Sequence, residues 1–198
     1  MQSIAAENHQ SKTAFVVKRD KIFELRWFSP ACEVDLCGHT PLTNAHVLFR
    51  HLGLGAESVE FETRSGRLAV SLVDDVLTLD YPSRPGVGCE APPGLAAGIG
   101  ATPVHTAKAR DFLAVFESED VVRDLKPNMA VLMRLDCLGI IATAPGNDCD
   151  CVSRFFAPRA GVHEDPVIGS SHCTLIPYRA ARLQKRRALS PTTLATRR

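Results

Sequence analysis

Two short segments of the chain carry side chains that could move a proton. The first contains Glu33 and His39, and the second contains Glu164, Asp165 and Ser170. Carboxylates, imidazoles and hydroxyls are the groups that most often accept or donate protons in enzymes. The spacing therefore predicts two half-sites for proton transfer, one in each half of the chain.

A glycine stands in each segment before a predicted helix. Gly38 and Gly169 are both followed by apolar residues at spacings of three and four, which are typical of one helix face. The first turn of a helix has unbonded N–H groups and a positive dipole end, so it attracts carboxylate or phosphate groups. The glycines thus predict anion binding beside the proton-transfer groups, and Pro177 predicts a kink in the second helix.

Each of these side chains also has a structural explanation. His39 and Ser170 are suited to cap a helix, and Asp165 precedes a proline, where aspartate commonly forms a turn. Their symmetrical placement favours a site, because the interval from Glu33 to its glycine equals that from Glu164 to its glycine. We therefore interpret the two segments as an internal repeat.

The elements that precede these segments repeat as well. Trp27-Phe28-Ser29-Pro30 leads to the first segment, and Phe155-Phe156-Ala157-Pro158 leads to the second. Around them, the sequence predicts a helix at 39–52, a shorter helix at 120–125 and strands at 13–18, 22–28, 59–63, 68–73, 76–79, 102–106, 112–117 and 139–143.

Composition limits the class of protein. The chain has 198 residues, 45% hydrophobic and 23% charged, which is typical of a folded globular protein with one domain or two small lobes. The net charge of +1 combines an acidic body with seven basic residues after residue 178, and residues 186–198 are predicted to be a basic, disordered tail. This tail has no interleaved aromatic residues, so nucleic-acid binding is not indicated.

Seven cysteines without a CxxC pair indicate thiols, and neither a disulfide framework nor a metal site is expected. Residues 1–10 lack the basic start and apolar core of a secretion signal, and no apolar run has the length of a membrane span. We expect a cytoplasmic protein that does not interact with membranes.

The chain resembles the phenazine biosynthesis PhzF-like isomerases, relatives of diaminopimelate epimerase. The resemblance is carried by residues 11–15 (SKTAF), 25–30 (LRWFSP), 33–39 (EVDLCGH), 153–158 (SRFFAP) and 164–170 (EDPVIGS). It implies an α+β fold with two pseudo-symmetric lobes, each a curved, mostly antiparallel sheet around a central helix. The implied lobes are residues 1–84 and 101–185, joined by a Pro/Gly-rich connection at 85–100. Family members are cytoplasmic, often dimeric, cofactor-free enzymes that move a proton on a small carboxylate metabolite.

The resemblance also assigns candidate site residues. His39, Asp165 and Ser170 match catalytic positions of the family, and Lys12 stands where the family has its proton-shuttling glutamate. The substrate-binding positions are implied to be Glu33, Gly38, Gly169 and Ser171. The first cysteine of the epimerase relatives falls on Cys37, but its partner position is Ile168, so a two-cysteine mechanism is not expected.

Two departures from the family leave the function open. A lysine cannot replace a carboxylate as a proton shuttle unless burial leaves its amine neutral. Family chains also have further strands before the region matching Met1 and after Lys185, so we expect truncation, incomplete sheets and exposed strand edges. Three hypotheses follow: an isomerase that uses these residues, a catalytically silent relative that binds a small anion or a protein, or a truncated product without function.

Overall fold

The computed structural model describes residues 1–10, 12–35, 37, 39–166, 169–184 and 191–194, with the backbone alone at 191–193. The chain divides into two compact units, Met1–Pro82 and Ser83–Arg198. The first unit ends two residues before the boundary of 84 expected from the sequence. In the described part of the chain, no helix combines the length and the apolar character that a bilayer span requires.

The first unit is a mixed sheet with two helices. Its elements are α1 (Gln2–Asn8), β1 (Thr13–Arg19), β2 (Ile22–Phe28), β3 (Glu33–Val34), α2 (His39–Arg50), β4 (Ser58–Thr63), β5 (Gly66–Val73) and β6 (Val76–Leu79). The strands run in the order β1-β2-β4-β5-β6, and β3 pairs with β2. The five strands predicted in this part of the sequence are confirmed as β1, β2, β4, β5 and β6, whereas α1 has no periodic apolar pattern and is not predicted by the sequence.

Alternating side chains build the core of this unit. In β2, Phe23, Leu25 and Trp27 are buried while Ile22, Glu24 and Arg26 are half-buried, as expected for a strand with one face on the core. The parallel pairing of β2 with β4 needs a crossover connection, and α2 lies within it. The helix contacts β1, β5 and β6, and it buries Ala45 and Leu48.

The second unit is built on another mixed sheet. Its elements are β7 (Val87–Gly88), α3 (Leu95–Ile99), β8 (His105–Lys108), β9 (Phe112–Val115), α4 (Glu119–Asp124), α5 (Met129–Leu132), β10 (Ile140–Ala144), β11 (Cys151–Phe156), α6 (His172–Leu183) and β12 (Pro191–Thr193). The strands run in the order β12-β11-β10-β9-β8-β7. Two pairs are parallel, β9 with β10 and β11 with β12, and the chain passes through α4 and α5 between β9 and β10.

Helices cover both faces of the second sheet. Every residue of β9, β10 and β11 is buried, which an exposed sheet face would not allow. Phe112, Ile140 and Phe156 pack with α3, α4 and α5 in one apolar cluster. Thr143 points to the opposite face, where it accepts a hydrogen bond from Arg179 of α6.

The structure differs from the sequence expectation in two segments. Within 85–100, β7 is an edge strand of the second sheet, and Leu95 and Ile99 of α3 are fully buried in its core. Within 186–198, Pro191–Thr193 forms β12 rather than disordered chain, because the segment pairs with β11 and the half-buried Leu194 packs on the core. The rest of that tail lies outside the described residues.

Pro177 lies inside α6, and the helix continues past it. A proline has no N–H, so the carbonyl four residues earlier loses its helical donor. That carbonyl, of Cys173, accepts a 2.8 Å bond from the amide of Arg84, and Thr174 Oγ1 donates to the Arg84 carbonyl at 2.9 Å. The start of the second unit thus completes the hydrogen bonding of α6.

The α+β fold with two sheets, expected from the resemblance, is confirmed. In both units an antiparallel hairpin is followed by the acidic segment and then by a helix of 12 residues. The internal repeat inferred from the sequence therefore corresponds to a repeated order of elements.

Arg179 is a buried cation, and no carboxylate pairs with it among the residues that the structure describes. Its Cζ lies 5.6 Å from the centroid of the Tyr178 ring. Its residue is 5% exposed, its Nη2 donates to Thr143 Oγ1 at 3.1 Å, and its Nε has no acceptor among the described residues. Burial lowers the pKa of the guanidinium, because a charge removed from water is disfavoured.

Replacing Arg179 by methionine should stabilise the protein by about 1–4 kcal/mol, the range seen when buried charges give way to apolar side chains. Thr143 keeps its own bond to the carbonyl of Val152, so the substitution leaves no orphaned hydroxyl. The measurement is urea unfolding followed by circular dichroism. Arg182→Met, on the exposed side of the same helix, is the control, and equal effects of both variants would contradict the prediction.

Candidate active site

The candidate residues form two sets, one in each unit. In the first unit, Lys12 is half-buried directly before β1, Glu33 lies in β3 and His39 begins α2. Gly38 lies outside the described residues. This unit therefore places three of the four candidates at the ends of elements or in a short strand, where side chains can reach a ligand.

Glu33 is held by two arginines. Arg26 donates to both carboxylate oxygens at 2.8 Å, and Arg64 Nη1 lies 3.3 Å from Glu33 Oε2. The hydrogen bonds from Arg26 lower the pKa of Glu33, and the same bonds raise the pKa of Arg26. A carboxylate with a lowered pKa is a weak base, so Glu33 is poorly suited to accept a substrate proton.

The segment that leads into α2 is fixed mainly through its backbone. The carbonyl of Asp35 accepts from Ser65 Oγ at 2.6 Å, and the carbonyl of Cys37 accepts from the Tyr81 hydroxyl at 3.2 Å. Cys37 is 3% exposed, and its Sγ lies 2.6 Å from Thr40 Oγ1, which agrees with a packing role. These contacts set the position of His39 without using its ring.

In the second unit, a buried carboxylate occupies the matching place. Asp165 is 6% exposed, and its amide donates to the carbonyl of Phe155 at 3.2 Å. In the first unit, Val34 pairs in the same way with Trp27. The second unit therefore presents an acid where the first has an apolar residue.

Gly169–Ser171 forms a 3-10 turn that runs directly into α6. Ser171 is buried, Ser170 is half-buried, and the preceding Val167 and Ile168 lie outside the described residues. Arg110 donates from Nη2 to Ser170 Oγ at 3.4 Å. The described structure thus brings Ser170 to a cation that sequence reasoning did not select.

Arg154 joins the acidic segment to the core of the second unit. It donates to both oxygens of Glu164 at 2.7 and 3.0 Å. Its Nη1 donates to three carbonyls at the end of α4, those of Val122, Arg123 and Leu125. The side chain is 3% exposed, so this cation is almost fully removed from water and donates to protein acceptors instead.

The sequence analysis also did not select Arg26 and Arg154 as residues of the two half-sites. Both stand directly before the repeated aromatic pair, and each guanidinium lies over the second aromatic ring, at 5.3 Å for Arg26 and 5.0 Å for Arg154. Extending the repeat by one residue would have found them. For Arg110 the sequence carries no comparable signal.

Over the ranges that the structure describes, no group of three or more His, Cys, Asp or Glu is placed to hold a metal ion. The roles of Lys12, His39, Asp165 and Ser170 stay predictions, as do the substrate contacts of Glu33, Gly38, Gly169 and Ser171.

A family model for the phenazine biosynthesis-like protein matches residues 1–81 and 94–196. The chain belongs to the phenazine biosynthesis-like family. The resemblance found in the sequence is therefore confirmed. Curated members of this family include proteins named as uncharacterized isomerases.

Individual family members match along most of the chain. An uncharacterized isomerase of Pseudomonas aeruginosa is 47% identical over 186 residues, which are 93% of this chain and 71% of that protein. A PhzF-family structure from Enterococcus faecalis has a TM-score of 0.87 at 38% identity and covers 98% of this chain and 75% of its own. A predicted epimerase structure from Pseudomonas aeruginosa shares the fold, with a TM-score of 0.67 at 16% identity over 94% of this chain and 72% of its own.

The two arginine–glutamate ion pairs should differ in their effect on stability. Arg154→Met removes a buried guanidinium that donates to Glu164 and to three carbonyls, so it should lower the free energy of unfolding by about 3–5 kcal/mol. Arg26→Met should cost much less, because that side chain is 38% exposed and Arg64 remains beside Glu33. Urea unfolding, together with hydrogen exchange of each unit, measures both, and a larger effect at Arg26 would contradict this ranking.

Glu33 should make stability depend on pH. Its folded-state pKa lies below the unfolded value, so its contribution is complete above that unfolded value, about 4.3, and disappears as pH falls through the folded pKa. Glu33→Gln should therefore lower the Tm at pH 7, and the difference from the natural chain should shrink as the pH falls below about 4.3. Glu60→Gln, at an exposed pair in the same unit, is the control and should change the Tm little across this pH range.

Proposed function

We propose that this family member is a cytoplasmic isomerase that moves a proton on a small carboxylate-bearing metabolite without a cofactor. The observation that carries the proposal is Asp165, a carboxylate that is 6% exposed on a backbone hydrogen-bonded to β11. The isomerase names of the curated relatives support the reaction class. The seven cysteines are thiols, which fits a reducing compartment.

Asp165 would transfer the proton. Its backbone is fixed to Phe155, and the neighbouring Glu164 is held by Arg154, so the segment that carries the carboxyl group is held in place. A fixed acid or base needs no reorganisation when the substrate arrives, which favours general acid–base catalysis.

The turn at Gly169–Ser171 would hold the carboxylate of the substrate. It precedes α6, a helix of 12 residues, whose first amides and positive dipole end attract an anion. The Ser170 hydroxyl is a further donor in this turn. Substrate binding and proton transfer would thus use residues that lie within six positions of one another.

Lys12 favours a second candidate function, that of a catalytically silent relative that binds a small anion. At the family position of the glutamate, an ammonium group attracts a carboxylate but cannot accept a proton. His39 would then contribute to binding of the anion rather than to proton transfer. A homodimer is also proposed from the family resemblance, and neither nucleic acid nor a membrane is proposed as a partner.

Solvent deuterium exchange separates the two functions. The natural chain is incubated in deuterium oxide with a panel of small hydroxy and unsaturated carboxylates, and carbon-bound deuterium is followed by proton NMR. If the chain is an isomerase, one substrate should exchange, and Asp165→Asn should slow the exchange by about 100-fold or more. Asp148→Asn, an exposed acid in the same unit, should leave the rate unchanged.

The silent alternative gives the opposite pattern. In that case the natural chain exchanges no substrate, and Lys12→Glu gains exchange that Asp165→Asn removes again. Exchange by the natural chain that survives Asp165→Asn would contradict both assignments. Circular dichroism of each variant checks that loss of exchange does not come from loss of the fold.

A further inference from the structure

Arg110 lies beside the serine of the second-unit half-site. It occupies the turn between β8 and β9, and its side chain is 20% exposed. Nε and Nη2 donate to Asp111 Oδ2 at 3.0 and 2.6 Å, and Nη2 also donates to Ser170 Oγ at 3.4 Å. The contact with Ser170 is long for a hydrogen bond between neutral groups, but the charge on the guanidinium strengthens it.

A chain of contacts fixes the position of this guanidinium. The side chain of Asp111 is 4% exposed, and its Oδ1 accepts from the amide of Gly139 at 3.1 Å. The amide of Phe112 donates to the Gly139 carbonyl at 3.1 Å. A Cβ on Gly139 would lie 2.2 Å from Cζ of Phe155, so only glycine lets this ring pack there. Arg110 is therefore anchored, through the buried carboxylate of Asp111, to the residue that directly precedes β10.

The contact defines what the Ser170 hydroxyl can do. A hydroxyl has one donor and two acceptor positions, and Arg110 fills one acceptor position. The hydroxyl hydrogen is then directed away from the guanidinium, and the nearby positive charge polarises the O–H bond. Both effects make Ser170 a better donor to an anionic acceptor.

We propose that Arg110 is a positioning residue that directs the Ser170 hydroxyl toward the carboxylate of the substrate and sets the preference of this half-site for anions. Arg110 acts through Ser170, and Asp111 fixes its guanidinium. The inference rests on the proposed function only in taking Ser170 as a substrate-binding residue.

Succinate titration tests this role without requiring turnover. The amide shifts of Gly169, Ser170 and Ser171 are followed by ¹H–¹⁵N NMR in the natural chain and in four variants. Arg110→Met and Ser170→Ala should each weaken succinate binding by about tenfold, as expected for loss of one charge-assisted interaction. Arg110→Lys should recover part of the affinity, and Arg159→Met, which removes an exposed cation of the same unit, should change it by less than about twofold.

A double variant distinguishes action through Ser170 from a separate charge effect. If Arg110 positions the hydroxyl, Arg110→Met should have little further effect once Ser170 is alanine. Additive losses, unchanged binding by Arg110→Met, or no shift of these three amides in the natural chain would each overturn the inference. Thermal unfolding of each variant identifies any loss that comes from the fold.

The outcome is separate from that of the proposed reaction. Succinate binding that depends on Arg110, in a chain that exchanges no deuterium, would leave this inference standing and reject the isomerase. Deuterium exchange that is unaffected by Arg110→Met would reject the inference and keep the isomerase.

Discussion

An arginine that pairs with the glutamate of the acidic segment is the contact on which both candidate half-sites depend. In each unit the arginine precedes an aromatic pair on the second strand of a hairpin. Its Nε and Nη2 each donate to one oxygen of the carboxylate. A guanidinium as deeply buried as that of Arg154 is stable only when an opposite charge pairs with it. The chain must therefore fold back onto the strand before the next helix begins, and this return places the residues on either side of the glutamate.

The two copies of this contact are not equivalent. Arg154 is 3% exposed and also binds the end of α4, whereas Arg26 is 38% exposed and shares Glu33 with Arg64. The second unit thus ties its acidic segment into its core, while the first holds it near the surface. The more buried arginine lies in the unit that carries Asp165. A buried carboxylate needs fixed neighbours more than the apolar Val34, which occupies the matching position of the first unit.

Periodic sequence patterns predict the helices and strands that bury one face. Short elements and contacts between distant residues leave no such pattern, so the sequence does not predict them. The strands β4, β5 and β6 alternate clearly, but α1 and α5 are too short to show a period. The glycines and prolines of residues 85–100 predict a connection, although Leu95 and Ile99 are core residues. The repeat identified Glu33 and Glu164, but the contact of Arg110 with Ser170 joins residues 60 positions apart and leaves no local pattern.

The proline in α6 has a consequence for the order in which the second unit forms. Thr174 Oγ1 donates to the carbonyl of Arg84, 90 positions earlier in the sequence, and the amide of Arg84 donates to the carbonyl of Cys173. Both β10 and β11 lie between these residues in the chain. Contacts of such long range close late, because the entropy of the intervening loop must be lost first. During synthesis, the first residues of this unit therefore leave the ribosome long before the helix that completes their hydrogen bonds exists.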